Sequence, residues 1–216
     1  MNKVLVVAAH PDDETLMAGG LLHRLSRQGV QTKVLVLCEN GSLRYGDCSV
    51  NQGSLGEAMK TLGVGDWACR GYPDQRLDTE NFVEVVQSIA MEVREYQPDT
   101  VVTHWSGDLN RDHRIVQEAV LVATRPKVGC PVKTVLEGFV PSTSEWQWGV
   151  KFQPQMYVSL DDADLKAKLE AFQCYTAEQA EDTPRSMQGL LDYARVWGRE
   201  VGIQAAEVFR VLRTTL

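Results

Sequence analysis

This sequence lacks cysteine pairs, an excess of positive charge and long apolar runs. Its five cysteines are an odd number with no C-x-x-C spacing, which disfavours a disulfide framework or a cysteine zinc ribbon. Acidic residues outnumber basic ones by 29 to 22, and the net charge of −7 argues against a general nucleic-acid binder. The apolar run near the start, 4–9, is too short for a signal-peptide core or a membrane span. We therefore expect a cytoplasmic protein with no nucleic-acid partner and no membrane span.

Short β-branched runs alternate with helix-period stretches along the chain, whose size favours one domain, 1–216. The alternation predicts an α/β fold with a parallel sheet between helices, and ligands bind such sheets at the carboxyl ends of strands. Strands are expected at 3–9, 32–38, 67–71, 100–103, 134–140 and 156–160. Helices are expected at 16–29, 55–62, 82–96, 114–123, 164–175 and 190–201.

Two polar clusters follow the first and fourth predicted strands. Residues 10–14, His-Pro-Asp-Asp-Glu, form one cluster, and residues 104–113 form the other. Acidic side chains at a helix N-terminus are stabilised by the helix dipole, so the first cluster also fits a simple helix start. However, His10 stands three residues before Asp13, and His113 can add a third ligand to this pair. Because imidazole nitrogen and carboxylate oxygen are zinc donors, the two clusters together predict a metal site.

The same residues resemble a known family. The run 9–14, Ala-His-Pro-Asp-Asp-Glu, with the pattern Asp108-x-Asn110-x-Asp112-His113-Arg114, looks like the LmbE/PIG-L family of zinc-dependent de-N-acetylases. Weaker similarity continues through 57–64, 98–99, 168–175 and 206–209, so the resemblance covers nearly the whole chain. It implies a Rossmann-like three-layer sandwich with a mostly parallel sheet. It also implies a hydrolase that removes an N-acetyl group from an amino sugar or an amino-sugar conjugate.

The resemblance assigns roles to individual residues. Three side chains are implied as ligands of one Zn²⁺ per chain: His10, Asp13 and His113. Another divalent metal is the alternative. Asp12 is implied as the general base toward zinc-activated water and as the nearest proton donor for the leaving amine. Asp112 would orient an imidazole from behind, and Glu14 would do the same or serve only the helix N-terminus.

Two positions depart from the family pattern. Many members have a histidine where this chain has Asn110, which donates a hydrogen bond but transfers no proton. His104 is the remaining imidazole nearby. Three roles are equally open for it: a catalytic proton donor, a substrate contact or a capped strand end. Ser54 stands where members often have an arginine, and Arg44 is the candidate for that substrate contact, with a solvated side chain as the alternative. Asp108 is also expected to bind substrate.

Other functions remain open on these residues. The same scaffold permits a zinc-dependent hydratase or lyase of an unsaturated small acid. Two histidines and one carboxylate also form the triad of non-haem iron oxygenases, although the parallel α/β pattern argues against that class. A binding module without catalysis is a further alternative. Specificity is expected to lie in 39–53 and 141–155, and the expected partners are a small N-acetylated sugar or glycoside and, in a homo-oligomer, further copies of the chain.

Overall fold

The structure, a computed structural model, describes residues 1–39, 49–176 and 181–215, with the backbone alone for 49–53. Within these residues seven strands form one sheet in the order β3-β2-β1-β4-β5-β7-β6. The strands are β1 Lys3–Ala8, β2 Gln31–Cys38, β3 Asp66–Tyr72, β4 Thr100–His104, β5 Thr134–Gly138, β6 Met156–Ser159 and β7 Ala206–Arg213. The helices are α1 Asp13–Arg27, α2 Ser49–Leu62, α3 Phe82–Tyr96, α4 Arg111–Ala123, α5 Asp162–Gln173 and α6 Met187–Glu200, with a short 3₁₀ helix at Leu77–Thr79.

Strand β1 is the centre of the sheet and shows how the three layers form. It runs parallel to β2 on one side and to β4 on the other. Its side chains alternate between the faces, as a strand requires. Val6 packs with α1, α2 and α5 on one face, whereas Leu5 and Val7 pack with α3 and α4 on the other. The predicted α/β three-layer fold with a mostly parallel sheet is confirmed.

Strand β7 was not predicted, because the hydropathy pattern indicated no strand at this position. It lies between β5 and β6 and runs antiparallel to both. The sheet is therefore mixed at one edge, and its parallel part consists of β3, β2, β1, β4 and β5.

A buried ion pair connects β7 to the helices of one face. Lys168 Nζ of α5 donates to Glu207 Oε1 of β7 at 2.6 Å and to the Leu16 carbonyl of α1 at 2.8 Å. The Glu207 carboxylate also accepts the backbone N–H groups of Gly20 and Leu21, at 2.8 and 2.7 Å. This network satisfies both charges with hydrogen bonds, as burial requires.

Several helices begin earlier than the hydropathy pattern indicates, because polar first turns precede the apolar periodicity. Helix α1 begins at Asp13 rather than near residue 16, and α4 at Arg111 rather than 114. The side chain of Asn110 caps α4 by accepting the Asp112 N–H at 2.9 Å. Helix α2 begins at Ser49, inside the segment expected to be a loop. Both polar clusters therefore lie at strand-to-helix junctions.

Candidate active site

The two polar clusters meet at the carboxyl ends of β1 and β4, which are neighbouring parallel strands. The strand order reverses at this point, because β2 and β3 continue on one side of β1 while β4 and β5 continue on the other. Ligands of open α/β sheets bind in the crevice at such a switch point. The first cluster leads into α1 and the second into α4, so the side chains that carry the predicted chemistry share one edge of the sheet.

Three donor atoms converge at this edge. Asp13 Oδ2 lies 3.2 Å from His10 Nδ1 and 3.1 Å from His113 Nε2. Ligand atoms around a tetrahedral zinc ion stand about 3.3 Å apart, since Zn–N and Zn–O bonds are roughly 2.0–2.2 Å long. All three residues are buried. The spacing of His10, Asp13 and His113 therefore fits a single metal ion.

The electrostatics of the donor set favour a cation. Asp13 Oδ1 is buried and has no hydrogen-bond partner among the residues that the structure describes. Burial acts to raise the pKa of Asp13, but the neighbouring imidazoles of His113, His104 and His10 outweigh it and hold that pKa well below its usual range. Burial acts to lower the pKa of His113, and the carboxylates of Asp13 and Asp108 outweigh it and raise that pKa. Both shifts favour positive charge next to the Asp13 carboxylate.

Two further carboxylates lie behind the histidines. Asp112 Oδ2 is 3.1 Å from His10 Nε2, on the side of the ring away from Asp13. Asp108 Oδ1 is 3.1 Å from His113 Nδ1, and Asp108 Oδ2 accepts the hydroxyl of Ser144 at 2.6 Å. Asp108 is fully buried, and its expected contact with substrate stays a prediction. Both carboxylates are placed to fix the orientation of an imidazole.

Asp12 has an unusual backbone conformation that Glu14 supports. Its φ is 126° and its ψ is −33°, a region that side-chain-bearing residues rarely adopt. The Asp12 N–H donates to Glu14 Oε2 at 3.0 Å, while Glu14 Oε1 accepts the hydroxyls of Thr15 at 2.6 Å and Tyr175 at 2.7 Å. Burial raises the pKa of Glu14, and these three donors act in the opposite direction. Glu14 thus supports the backbone of Asp12.

Arg185 lies at the candidate site and is a residue that sequence reasoning missed. Its Nη1 donates to Asp12 Oδ2 at 3.0 Å, and its Nε donates to the Pro141 carbonyl at 3.3 Å. The side chain is 14% exposed and that of Asp12 is 3% exposed, so this ion pair is largely shielded from water. Arg185 is 173 residues from Asp12 in the chain, and no motif around it indicates a role. The contact follows only from the fold.

His104 and Asn110 occupy different positions relative to solvent. His104 is fully buried at the end of β4, where its Nε2 accepts the Ala9 N–H at 2.8 Å. Its ring stacks on His113 with centroids 3.9 Å apart, and burial together with His113 lowers the pKa of His104 to about 3. The contact with the Ala9 N–H is that of a capped strand end, and the roles of proton donor and substrate contact stay predictions. Asn110 is partly exposed and caps α4, and Arg44 lies outside the described residues.

The fold and the donor set define an α/β domain with a candidate metal centre of two histidines and one aspartate at its topological switch point. The family model described as PIG-L, GlcNAc-PI de-N-acetylase, matches residues 5–124, and the chain belongs to this family. The resemblance carried by the two polar clusters is therefore confirmed.

Curated relatives extend the comparison. A probable N-acetyl-alpha-D-glucosaminyl L-malate deacetylase 2 of Bacillus cereus is 30% identical over 148 residues, 60% of this chain and 64% of that protein. A 1D-myo-inositol 2-acetamido-2-deoxy-alpha-D-glucopyranoside deacetylase of Geodermatophilus obscurus is 28% identical over 161 residues, 58% of this chain and 55% of that protein. The uncharacterized deacetylase YaiS of Escherichia coli K12 is 27% identical over 175 residues, 78% of this chain and 87% of that protein. The chain thus spans less than two thirds of the first two relatives.

Solved structures with the same fold include the conserved protein TT1542 of Thermus thermophilus. It has a TM-score of 0.83 at 24% identity, and the match covers 100% of this chain and 97% of that one. GalB, the 4-carboxy-2-hydroxymuconate hydratase of Pseudomonas putida, has a TM-score of 0.77 at 22% identity, with coverage of 100% and 98%. At these identities the likeness concerns the fold alone. In the described part of the chain, no helix combines the length and apolar character needed to span a membrane.

Proposed function

We propose that this chain is a zinc-dependent amide hydrolase that removes an N-acetyl group from an amino sugar or an amino-sugar conjugate. The observation that carries the proposal is the buried donor set of His10, Asp13 and His113, with Asp12 next to it in the chain, at the switch point of the sheet. Membership in the PIG-L family and the deacetylase relatives support this reaction and this substrate class.

The metal is proposed from the chemistry of its donors. Two imidazole nitrogens and one carboxylate oxygen are the ligand types of catalytic zinc sites, which have three protein ligands and one open position. When bound, such an ion lowers the pKa of a water molecule to about 7 and polarises the carbonyl of the substrate. Asp108 and Asp112 would keep the two imidazoles in the orientation that binding requires.

Asp12 is proposed to move the proton. One oxygen of its carboxylate takes a proton from the attacking water as the new C–O bond forms at the acetamide carbon. The same proton passes to the amide nitrogen as the C–N bond breaks, so the products are acetate and a primary amine. The hydrogen bond from the Asp12 N–H to Glu14 supports the backbone from which this carboxylate projects. Asp12 therefore serves as base and then as acid.

Arg185 and Asn110 are proposed as hydrogen-bond donors in this reaction. Arg185 pairs with Asp12 Oδ2 and so stabilises the ionised carboxylate before the water is activated. A guanidinium does not release its proton near neutral pH, and an amide does not either, so both residues leave proton transfer to Asp12. His104 is buried against His113 and is proposed to position that ring and the Ala9 backbone.

A deacetylation screen tests the proposal. Zinc-loaded protein is incubated with N-acetylated sugars and glycosides, and both acetate and new primary amine are quantified, with the corresponding free amines as blanks. Equal release of the two products supports the hydrolase. Water addition to an unsaturated acid without acetate release would support the hydratase alternative instead. Metal analysis after anaerobic purification is the companion measurement, since activity that requires iron and fails with zinc would overturn the zinc assignment.

A further inference from the structure

A second set of metal-ligating side chains lies on the other side of the His10 ring. Cys38 at the end of β2, Asp112 at the start of α4 and His10 are all buried, and their donor atoms lie within 4.8 Å of one another. Asp74 adds a fourth oxygen, because its Oδ1 is 3.3 Å from His10 Nε2. The set shares His10 with the donor set already described, whereas Cys38, Asp112 and Asp74 do not belong to that set.

The distances match those between ligands of one ion. His10 Nε2 is 3.1 Å from Asp112 Oδ2, and Cys38 Sγ is 3.8 Å from the same oxygen. Around a tetrahedral zinc, a nitrogen and an oxygen ligand stand about 3.3 Å apart, and a sulfur and an oxygen ligand about 3.5 Å. The backbone also restrains the cluster, since the Leu77 N–H donates to Asp112 Oδ1 at 3.2 Å.

Charge provides an independent argument. Among the described residues no lysine or arginine forms an ion pair with Asp74 or Asp112. Asp74 Oδ1 accepts the amide of Gln75 at 3.3 Å, and both carboxylates lie beside the ring of His10. Asp74 is 3% exposed and Asp112 is 1% exposed. Buried carboxylate oxygens next to an imidazole are ligand types that a divalent cation uses together.

We propose that Cys38, Asp112 and His10 Nε2, with Asp74 beside them, form a second binding site for a thiophilic divalent cation such as Zn²⁺ or Cd²⁺. The combination of thiolate, imidazole and carboxylate selects a borderline or soft metal over Mg²⁺ or Ca²⁺. On binding to the metal-free protein, the Cys38 thiol loses its proton to solvent and the sulfur becomes a ligand. The proton of the neutral His10 ring stays on Nδ1, 3.2 Å from Asp13 Oδ2, which leaves Nε2 free to bind the cation. A neutral imidazole has one unprotonated nitrogen, so the second site competes with the first for His10.

Cadmium alone is the probe for the experiment. Protein stripped of metal with a chelator is titrated with Cd²⁺, and the ultraviolet charge-transfer band of a cadmium–thiolate bond is recorded. The wild-type protein is expected to show the band. Cys38→Ser is expected to lose it. The matched controls Cys69→Ser and Cys130→Ser are expected to keep it, because neither sulfur belongs to the donor set. The Cys69 thiol donates to the Cys38 carbonyl and the Cys130 thiol to the Thr124 carbonyl.

A fourth variant separates the two donor sets. His113→Gln removes a ligand of the first set and none of the second, so the band is expected to persist in it. Asp74→Asn is expected to weaken Cd²⁺ binding about tenfold while the band remains. Thermal unfolding of each variant confirms that it is folded. Absence of the band in the wild type, its persistence in Cys38→Ser or its loss in His113→Gln would each overturn the proposal, whatever the deacetylation screen shows.

Discussion

The carboxylate of Glu14 accepts the backbone N–H of Asp12 at 3.0 Å, and so supports a residue whose φ is 126°. The same carboxylate accepts the hydroxyl of Tyr175, which follows the end of α5 and is 161 residues from Glu14 in the chain. The conformation of Asp12 is therefore coupled to a distant part of the sequence. This coupling explains why a fully buried acid lies in the first turn of α1.

Tyr175→Phe tests that coupling. The substitution removes one of the donors to buried Glu14, and we expect the free energy of unfolding to fall by about 1–3 kcal/mol. It is also expected to lower kcat, because Asp12 loses part of its support. Urea unfolding and steady-state kinetics provide the two measurements. Tyr157→Phe is the matched control, since its hydroxyl donates to Glu200 at 3.1 Å on the surface, and it should change stability by less than about 0.5 kcal/mol.

Arg185→Gln tests the cation that faces Asp12. The substitution removes a charge-assisted hydrogen bond at 3.0 Å, and we expect kcat/KM to fall at least about tenfold, a loss of about 1.4 kcal/mol. Arg185→Lys should recover part of the loss, because it restores charge without the planar geometry. Arg195→Gln, at an exposed position of α6, is the control. Unchanged kinetics in Arg185→Gln would remove Arg185 from the proposed site.

Asp108→Asn tests the support of His113. The carboxylate is 3.1 Å from His113 Nδ1, and losing its charge is expected to weaken zinc binding about 10- to 100-fold. Competition with a chelator measures the change in affinity. If Asp108 instead contacts substrate, zinc affinity will stay at the wild-type value while KM rises.

Lys168→Met tests the buried ion pair between α5 and β7. The variant leaves Glu207 buried without its cation, and the expected loss of stability is about 3–5 kcal/mol. Lys168→Met combined with Glu207→Gln should recover much of that loss, because the buried charge is gone. Urea unfolding of both variants measures the difference. If the free energy of unfolding of Lys168→Met lies within about 1 kcal/mol of the wild-type value, the ion pair contributes little to stability.

The parts of the fold that the sequence predicts are those with a local signal. Strands β1 and β2 contain continuous apolar runs, because helices cover both faces of the sheet, and β4 is a short run rich in β-branched residues. The positions of these three strands were predicted closely. Strand β7 lacks such a run, because the buried Glu207 and the partly buried Arg210 interrupt it. Their partners, Lys168 and Glu137, are distant in the chain, so no local pattern indicates that these charges are satisfied.

The residues of the candidate site also divide into those with a local sequence signal and those without one. His10 and Asp13 are three residues apart, and His113 lies in the first turn of α4, which follows the neighbouring strand β4. The pairing of β1 with β4 therefore brings these residues to the same edge of the sheet. Arg185 and Cys38 reach the site from other elements, and neither lies in a motif. Their contacts depend on the packing of whole helices and strands, which a single sequence does not specify at the level of one side chain.

The most direct test of the central claim is the turnover of zinc-loaded Asp12→Asn on a substrate from the deacetylation screen. An amide retains the shape of the side chain but accepts no proton. The account predicts that acetate release falls by at least about 100-fold while zinc content and thermal stability match the wild type. A variant that retains its zinc and turns over at the wild-type kcat would contradict the proposed role of Asp12.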